Sequence, residues 1–204
     1  MPNVDLYLSK MDICRYWPEN ASIRCQECLD KLKAGENLLK ICPFLTNKQA
    51  RTFKLVSESE TYLPSIPQMT VPQPMDAGLF PVNEPDKNSM VIVSANNQQT
   101  FEVLATVWAQ GVTPAYFLLV DCLGNTVDMA MVFGVFTPDR LQQILEKTGL
   151  KDKVEHRHII VPGLTSPLAE DFARATGWEV EVGPICAVEL PLSLGDRWIF
   201  AGTQ

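Results

Sequence analysis

From Lys87 onward, short apolar runs alternate with segments of helical period. Met90–Ser94 (MVIVS) and Ala115–Val120 (AYFLLV) are continuous apolar runs of strand length, the pattern of strands buried on both faces. Between them, Phe101, Leu104, Ala105 and Trp108 fall at helical spacing over Thr100–Gln110, ahead of Gly111. Val127–Val132 reads as a further strand. In TPDRLQQILEKTG, Thr137 caps a helix, Pro138 suits its first turn and Gly149 ends it. His158–Val161 is another strand, Leu168–Thr176 a helix that stops at Gly177, and Trp178–Val182 a closing strand. Strands alternating with helices of about ten residues predict βαβ units and a mostly parallel, Rossmann-like sheet. Such sheets bind ligands outside the carboxyl ends of their strands. The loops to watch are therefore Ser94–Asn97, Asp121–Asn125 and Pro162–Thr165.

Upstream the pattern is different. Residues 56–86 hold Pro64, Pro67, Pro72, Pro74, Pro81 and Pro85. That density predicts an extended arm without regular helix or paired strand. Residues 1–55 contain short helical stretches and a turn at Cys42-Pro43. The expected organisation is a small helical four-cysteine domain over 1–55, an arm over 56–86 and an α/β domain over 87–204.

Composition narrows the function. Of 204 residues, 46% are apolar, enough for a core, and the formal net charge of −7 comes without any basic block. Nucleic acid and anionic membrane are poor partners for such a chain. No apolar run approaches the roughly 20 residues of a membrane-spanning helix, and the chain reads as soluble and cytoplasmic.

Four of the six cysteines lie in the first 42 residues, spaced C-x10-C-x2-C-x13-C-P over Cys14, Cys25, Cys28 and Cys42. In a reducing compartment this clustering points to metal ligation rather than disulfides. Four thiolates serve either an iron–sulfur cluster or Zn(II), and unligated thiols are the third reading. Pro43 after the last cysteine, and apolar neighbours such as Ile13, Trp17, Leu29 and Phe44, favour a 4Fe–4S cluster. A structural zinc site commonly pairs two knuckles, and this sequence has a single C-x2-C. Cys122 and Cys186 sit in apolar contexts and read as small buried hydrophobes. His156 and His158 read as a satisfied structural pair at a strand start.

The segment SIRCQECLDKLKAGENLLKICPF resembles the small iron–sulfur domain of the large subunit of the corrinoid iron–sulfur protein of the CO dehydrogenase/acetyl-CoA synthase pathway, through its C-x2-C knuckle, Ala34-Gly35-Glu36 and Cys42-Pro43. Cys14 departs from that pattern by standing ten residues before Cys25. A longer stretch, from MVIVSANN through GWEVEVGP, resembles the corrinoid-binding domain of the same subunit. It carries the Ser-x-Asn loop (Ser94–Asn96), the Asp-x-x-Gly turn (Asp121–Gly124) and G-x-F-T (Gly134–Thr137). It also carries His-Arg-strand-Pro-Gly (His156–Gly163) and G-W-x-V-x-V-G-P (Gly177–Pro184). Between the two parts that family has a TIM barrel, roughly 250 residues in such folds, where this chain has the Pro-rich arm.

The resemblance implies a corrinoid (cobalamin) held with its base detached, on Ser94, Asn96, Asn97, Asp121, Gly124, Met129, Ala130, Gly134, Phe136, Thr137, Pro162 and Gly163. It also implies a 4Fe–4S cluster on Cys14, Cys25, Cys28 and Cys42 that supplies electrons to it. The expected partners are a methyltransferase or a barrel-containing corrinoid protein subunit, and a redox partner. With no nucleophile–base pair or paired-carboxylate motif, the chain reads as a methyl carrier or accessory whose chemistry belongs to its cofactors. Two other readings stand beside it. One is an iron–sulfur electron-transfer or regulatory protein that keeps the fold without corrinoid. Met131, Phe133 and Val135 favour it, since they replace a Trp, a small residue and a Lys of the family pattern. The other is a zinc-stabilised interaction module.

Overall fold

The computed structural model describes residues 46–65 and 71–202, together with Lys31, Ala34 and Glu36. Cys14, Cys25, Cys28 and Cys42 lie outside the described residues, and so does the domain expected over 1–55 apart from Lys31, Ala34, Glu36 and residues 46–55.

Apolar runs of five or six residues extend into strands because their β-branched and aromatic side chains fill both faces of a sheet. The strands are β1 (Gly78–Val82), β2 (Met90–Ala95), β3 (Ala115–Val120), β4 (His158–Val161) and β5 (Glu179–Val182). They form one sheet in the order β1-β3-β2-β4-β5. Pairing is parallel throughout, except that β1 runs antiparallel to β3 with Leu79 opposite Leu118. The α-helices are α1 (Asn47–Ser57), α2 (Gln98–Trp108), α3 (Val127–Val132), α4 (Pro138–Thr148), α5 (Leu150–Lys153), α6 (Ala169–Thr176) and α7 (Leu190–Leu194). The expected α/β class with a mostly parallel sheet is what the chain adopts.

Alternation along the strands divides the core into two layers. Val91, Val93, Leu118, Val120, Ile159 and Val161 pack on one face with Leu141, Ile144 and Leu145 of α4 and Phe172 of α6. Ile92, Phe117 and Ile160 pack on the other with Leu104 and Trp108 of α2, Leu190 and Leu194 of α7, and Trp198. Helices on both faces make a three-layer doubly wound unit. The first crossover, through α2, carries β2 outward to β3, and the second carries β3 back across to β4 on the other side of β2. The topological switch point therefore lies at the carboxyl ends of β2 and β4.

Two expectations are corrected. The arm contains a paired strand, since β1 falls within 56–86. Pro81 is tolerated there because β1 is the sheet edge and Pro81 is exposed, so its missing N–H breaks no central ladder. Val127–Val132 is helix rather than strand. Its period-2 look (Val127, Met129, Met131) is overridden by burial of Val127 and Ala130, three residues apart on one helical face.

Local signals explain the helix ends. Thr137 Oγ1 accepts from the Arg140 N–H at 3.3 Å, Pro138 occupies the first turn, and Gly149 closes α4 at φ 60°. Thr46 and Gln49 form a reciprocal capping box on α1. Phe53 and Val56 of α1 are buried, and α1 packs against α7 of the sheet unit. None of the described helices is long and apolar enough to cross a membrane.

Candidate functional site at the carboxyl end of the sheet

The loops after β2, β3 and β4 converge here, and α3 packs against both β2 and the 3-10 segment Gly163–Leu168. Asn96 organises the centre. Its Oδ1 accepts from the Cys122 N–H at 2.7 Å and the Gly124 N–H at 3.3 Å. Its Nδ2 donates to the Met75 carbonyl at 2.9 Å and reaches Asp121 Oδ1 at 3.4 Å. Asn97 caps α2 by accepting from the Thr100 N–H at 3.0 Å, and its Nδ2 donates to the Gly124 carbonyl at 2.7 Å. Buried amides of this kind are retained because every polar atom finds a partner.

The proline-rich arm takes part directly. Gln73 N–H donates to the Gly124 carbonyl at 2.9 Å, Met75 N–H to the Asn96 carbonyl at 3.1 Å, and Gln98 N–H to the Gln73 carbonyl at 2.9 Å. Pro74 thus lies across Gly124, where a Cβ would come within 2.5 Å of the Pro74 nitrogen. On the far side, Gly163 N–H donates to the Pro184 carbonyl at 2.8 Å, and a Cβ on Gly163 would meet Ile185 N at 2.6 Å. Both glycines are therefore required by close approach of this chain's own backbone.

The residues expected from sequence to hold a ligand divide into two groups. Ser94, Asn96, Asn97, Gly124, Ala130 and Gly163 are buried, and the two asparagines are hydrogen-bonded within the chain. Phe136 is buried too, its ring 5.8 Å from that of Phe172. Thr137 caps α4. Asp121 and Gly134 are exposed, while Met129 and Pro162 are half-buried. At Gly134, φ 64°, an added Cβ would meet nothing, so the backbone there is open. The burial pattern brings forward residues absent from that set. Leu123, Val132 and Phe133 are 54%, 75% and 59% exposed, apolar side chains of the turn after β3 and of the end of α3, together called the ledge. The Arg140 guanidinium donates to the Asp121 carbonyl. The ledge had a partial signal in the apolar VF of Val132-Phe133. The Arg140 contact had none, because it joins residues 19 apart through the fold.

Burial pushes the Cys122 thiol up to about 12, with Asp121 adding to the rise and Arg140 opposing it. Cys122 is fully buried as expected, whereas Cys186 is half-buried. Both histidines sit at the other end of the sheet. His156 Nε2 is 3.0 Å from the Ser89 carbonyl, His156 Nδ1 accepts from the His158 N–H at 3.2 Å, and His158 Nε2 lies 3.2 Å from Glu181 Oε2. They form the structural pair expected. As the chain has only these two histidines, none reaches the ledge. Among the described residues no group of three or more His, Cys, Asp or Glu is placed to hold a metal.

Chemically, this end offers exposed apolar side chains around a self-satisfied polar frame. Exposed apolar side chains suit contact with an apolar group, and neither histidine of the chain lies at this end of the sheet. The fold is that of a doubly wound α/β protein, a class whose ligands bind at the switch point. Residues 60–192, more than half of the chain, match the family described as the CO dehydrogenase/acetyl-CoA synthase delta subunit, and the chain belongs to that family.

Its relatives include the gamma subunit of the acetyl-CoA decarbonylase/synthase complex of Methanopyrus kandleri, 34% identical over 120 residues, 59% of this chain and 26% of that protein. The gamma subunit of Methanocaldococcus jannaschii is 32% identical over 127 residues, covering 62% of this chain and 26% of the relative. The corrinoid/iron-sulfur protein large subunit of Moorella thermoacetica is 32% identical over 114 residues, 56% of this chain and 26% of that subunit. The aligned stretch of the chain spans about a quarter of the length of each of these relatives.

Proposed function

We propose that this chain is a methyl carrier or accessory of the corrinoid iron–sulfur type. Its sheet unit binds a corrinoid with the base detached at the switch-point ledge, and Cys14, Cys25, Cys28 and Cys42 carry a 4Fe–4S cluster that feeds it electrons. The names of its relatives support the class. The observation that carries the reading is the juxtaposition of an exposed apolar ledge at the carboxyl end with both histidines at the amino end of β4. A corrinoid seated there meets no protein imidazole. The thiolate set before Pro43 has the donor chemistry of an iron–sulfur site.

When bound, the corrinoid supplies a reduced cobalt able to accept and pass on a methyl group. The chain's own residues bind and orient. Leu123, Val132 and Phe133 cover apolar surface of the ring and exclude water from it. Gly134 lets the backbone approach closely, since no Cβ stands in the way. Asn96 and Asp121 hold the turn after β3 in place, and Arg140 fixes that turn to the start of α4. Ser94, Asn97, Phe136 and Thr137 act through the frame rather than on the ligand. A methyltransferase or a barrel-containing corrinoid subunit, together with a redox partner, completes the cycle.

A second reading draws on Gly124 and Gly163, both occupied by this chain's own backbone. In it the protein keeps the fold for iron–sulfur electron transfer or regulation, without corrinoid. Anaerobic purification followed by metal analysis and a visible spectrum separates the readings. Iron with stoichiometric cobalt supports the carrier. Iron without cobalt after incubation with cobalamin leaves the second reading. Zinc alone overturns both in favour of a zinc-stabilised interaction module.

A further inference from the structure

The strands of the sheet are not joined equally. β2 and β3 pair along the whole of Met90–Ala95, and β4 and β5 along the whole of His158–Val161. Between β2 and β4 the register is held at Ile92, opposite Ile160. This seam divides the sheet into β1-β3-β2 and β4-β5, and its carboxyl end is the switch point.

The amino end of the seam is stitched by other means. The Glu155 N–H donates to the Lys87 carbonyl at 2.9 Å, and the two side chains form an exposed ion pair at 3.2 Å, a contact worth little in water. The third tie is the half-buried His156. Its Nε2 is 3.0 Å from the Ser89 carbonyl, and its Nδ1 accepts from the His158 N–H at 3.2 Å. A carbonyl only accepts and a backbone N–H only donates. The ring therefore carries its proton on Nε2 and is neutral. A second proton, on Nδ1, sets two donors against each other and removes the bond from the His158 N–H.

The charged groups around this ring come from every side of the seam. His158, its ring centroid 6.4 Å away, places Nε2 3.2 Å from Glu181 Oε2 of β5, and a proton there strengthens that contact. Arg197, from the segment after α7, donates to Glu181, and Ser89 Oγ donates to Asp86 Oδ1 in the turn before β2. The Arg157 guanidinium donates to the His156 carbonyl at 2.9 Å, while Lys87 and Glu155 hold each other. The Glu181 and Asp86 carboxyls are held below the usual carboxylate range, first by hydrogen bonds from Arg197 and from Ser89 respectively. Both stay ionised where imidazoles change charge. There the two histidines pull in opposite directions.

We propose that His156 is a proton-operated latch on the β2–β4 seam: its neutral ring ties the entry of β2 to the entry of β4, and a second proton on the ring releases that end. The latch is built from this chain alone and needs no corrinoid.

Nuclear magnetic resonance of the full chain at about pH 8 and about pH 5 spans the range over which imidazoles change charge. At pH 8 the long-range nitrogen–proton spectrum should show His156 protonated on Nε2 and not on Nδ1. Amide protection factors, corrected for the intrinsic effect of pH, should fall about fivefold at His158 and Ile160 between pH 8 and pH 5, the scale of one hydrogen bond. They should stay level at Phe117 and Leu118 of β3. The side-chain oxygen of His156→Asn accepts a hydrogen bond but takes no proton, so protection there should be the same at both pH values. In His158→Gln the fall should remain. A His156 ring protonated on Nδ1 at pH 8 overturns the latch. So does a parent without the fall, a fall shared equally by β3, or one that persists in His156→Asn. Should His156→Asn not fold, the ring tautomer, the parent's pH response and His158→Gln decide.

Discussion

Replacing Gly124 with Ala is the sharpest test of how the arm and the site are joined. Gly124 sits at φ 73°, so an alanine there pays about 1–2 kcal/mol for left-handed backbone. It also drives its Cβ to 2.5 Å from Pro74 N and 2.7 Å from Pro74 Cα, distances that backbone does not accommodate without moving. Moving Pro74 loosens the Gln73–Gly124, Met75–Asn96 and Gln98–Gln73 main-chain bonds and the Asn96 side-chain bond to Met75. At a net worth of about 0.5–1.5 kcal/mol each, losing two of these brings the total to about 2–5 kcal/mol. Gly149→Ala is the matched control. Its φ of 60° is nearly the same, but an added Cβ meets nothing, so only the backbone cost of about 1–2 kcal/mol applies. Urea unfolding followed by tryptophan fluorescence reads both, since Trp108, Trp178 and Trp198 are all buried. Limited proteolysis near residue 73 should accelerate in Gly124→Ala alone. Equal destabilisation by the two substitutions, with the arm equally protected, would refute the role of the Gln73–Met75 segment as a strap across the turn after β3.

Two further outcomes follow from the titratable groups. The Glu181 carboxyl is held below the usual carboxylate range, chiefly by hydrogen bonds from Arg197 and less by the nearby positive charge of Arg197 and His158, with burial opposing. A carboxyl lowered in the folded state stabilises fully above its unfolded pKa of about 4.3, and that contribution is lost as pH falls through the lowered folded value. Arg197→Ala should therefore narrow its stability gap to the parent as pH drops below about 4.3 in denaturation curves, and a gap independent of pH would contradict the pairing. Burial keeps the Cys122 thiol protonated at neutral pH. Iodoacetamide at pH 8 should leave the Cys122 peptide unlabelled in the native chain and label it in denaturant, by mass spectrometry. Rapid native labelling would mean that the turn after β3 opens.

Much of the sheet was legible because its signals are local. MVIVS and AYFLLV have no helical face to offer, and Thr137-Pro138 with Gly149 marks both ends of α4 through caps that act within one turn. The three carboxyl-end loops followed from the βαβ alternation alone. VDMAMV misleads because six residues fit either period, and burial of Val127 and Ala130 on one helical face decides for helix. Pro81 misleads because an edge strand forgives what a central strand does not. At the site, the residue types were readable and their roles were not. Asn96 and Asn97 look like ligand groups, yet they spend their amides on Gly124, Met75 and the first turn of α2. The strap from Gln73 to Met75 uses backbone atoms, which leave no trace in side-chain pattern.

The central claim is that a corrinoid sits at the carboxyl end of this sheet, remote from both histidines. Electron paramagnetic resonance of the full chain loaded with cob(II)alamin tests it most directly, because an axial nitrogen splits the cobalt signal and an axial oxygen does not. A protein that retains cobalt through gel filtration and shows no nitrogen splitting agrees with a detached base and an imidazole-free ledge. Nitrogen splitting, or cobalt lost entirely from a chain that keeps its iron, would contradict it.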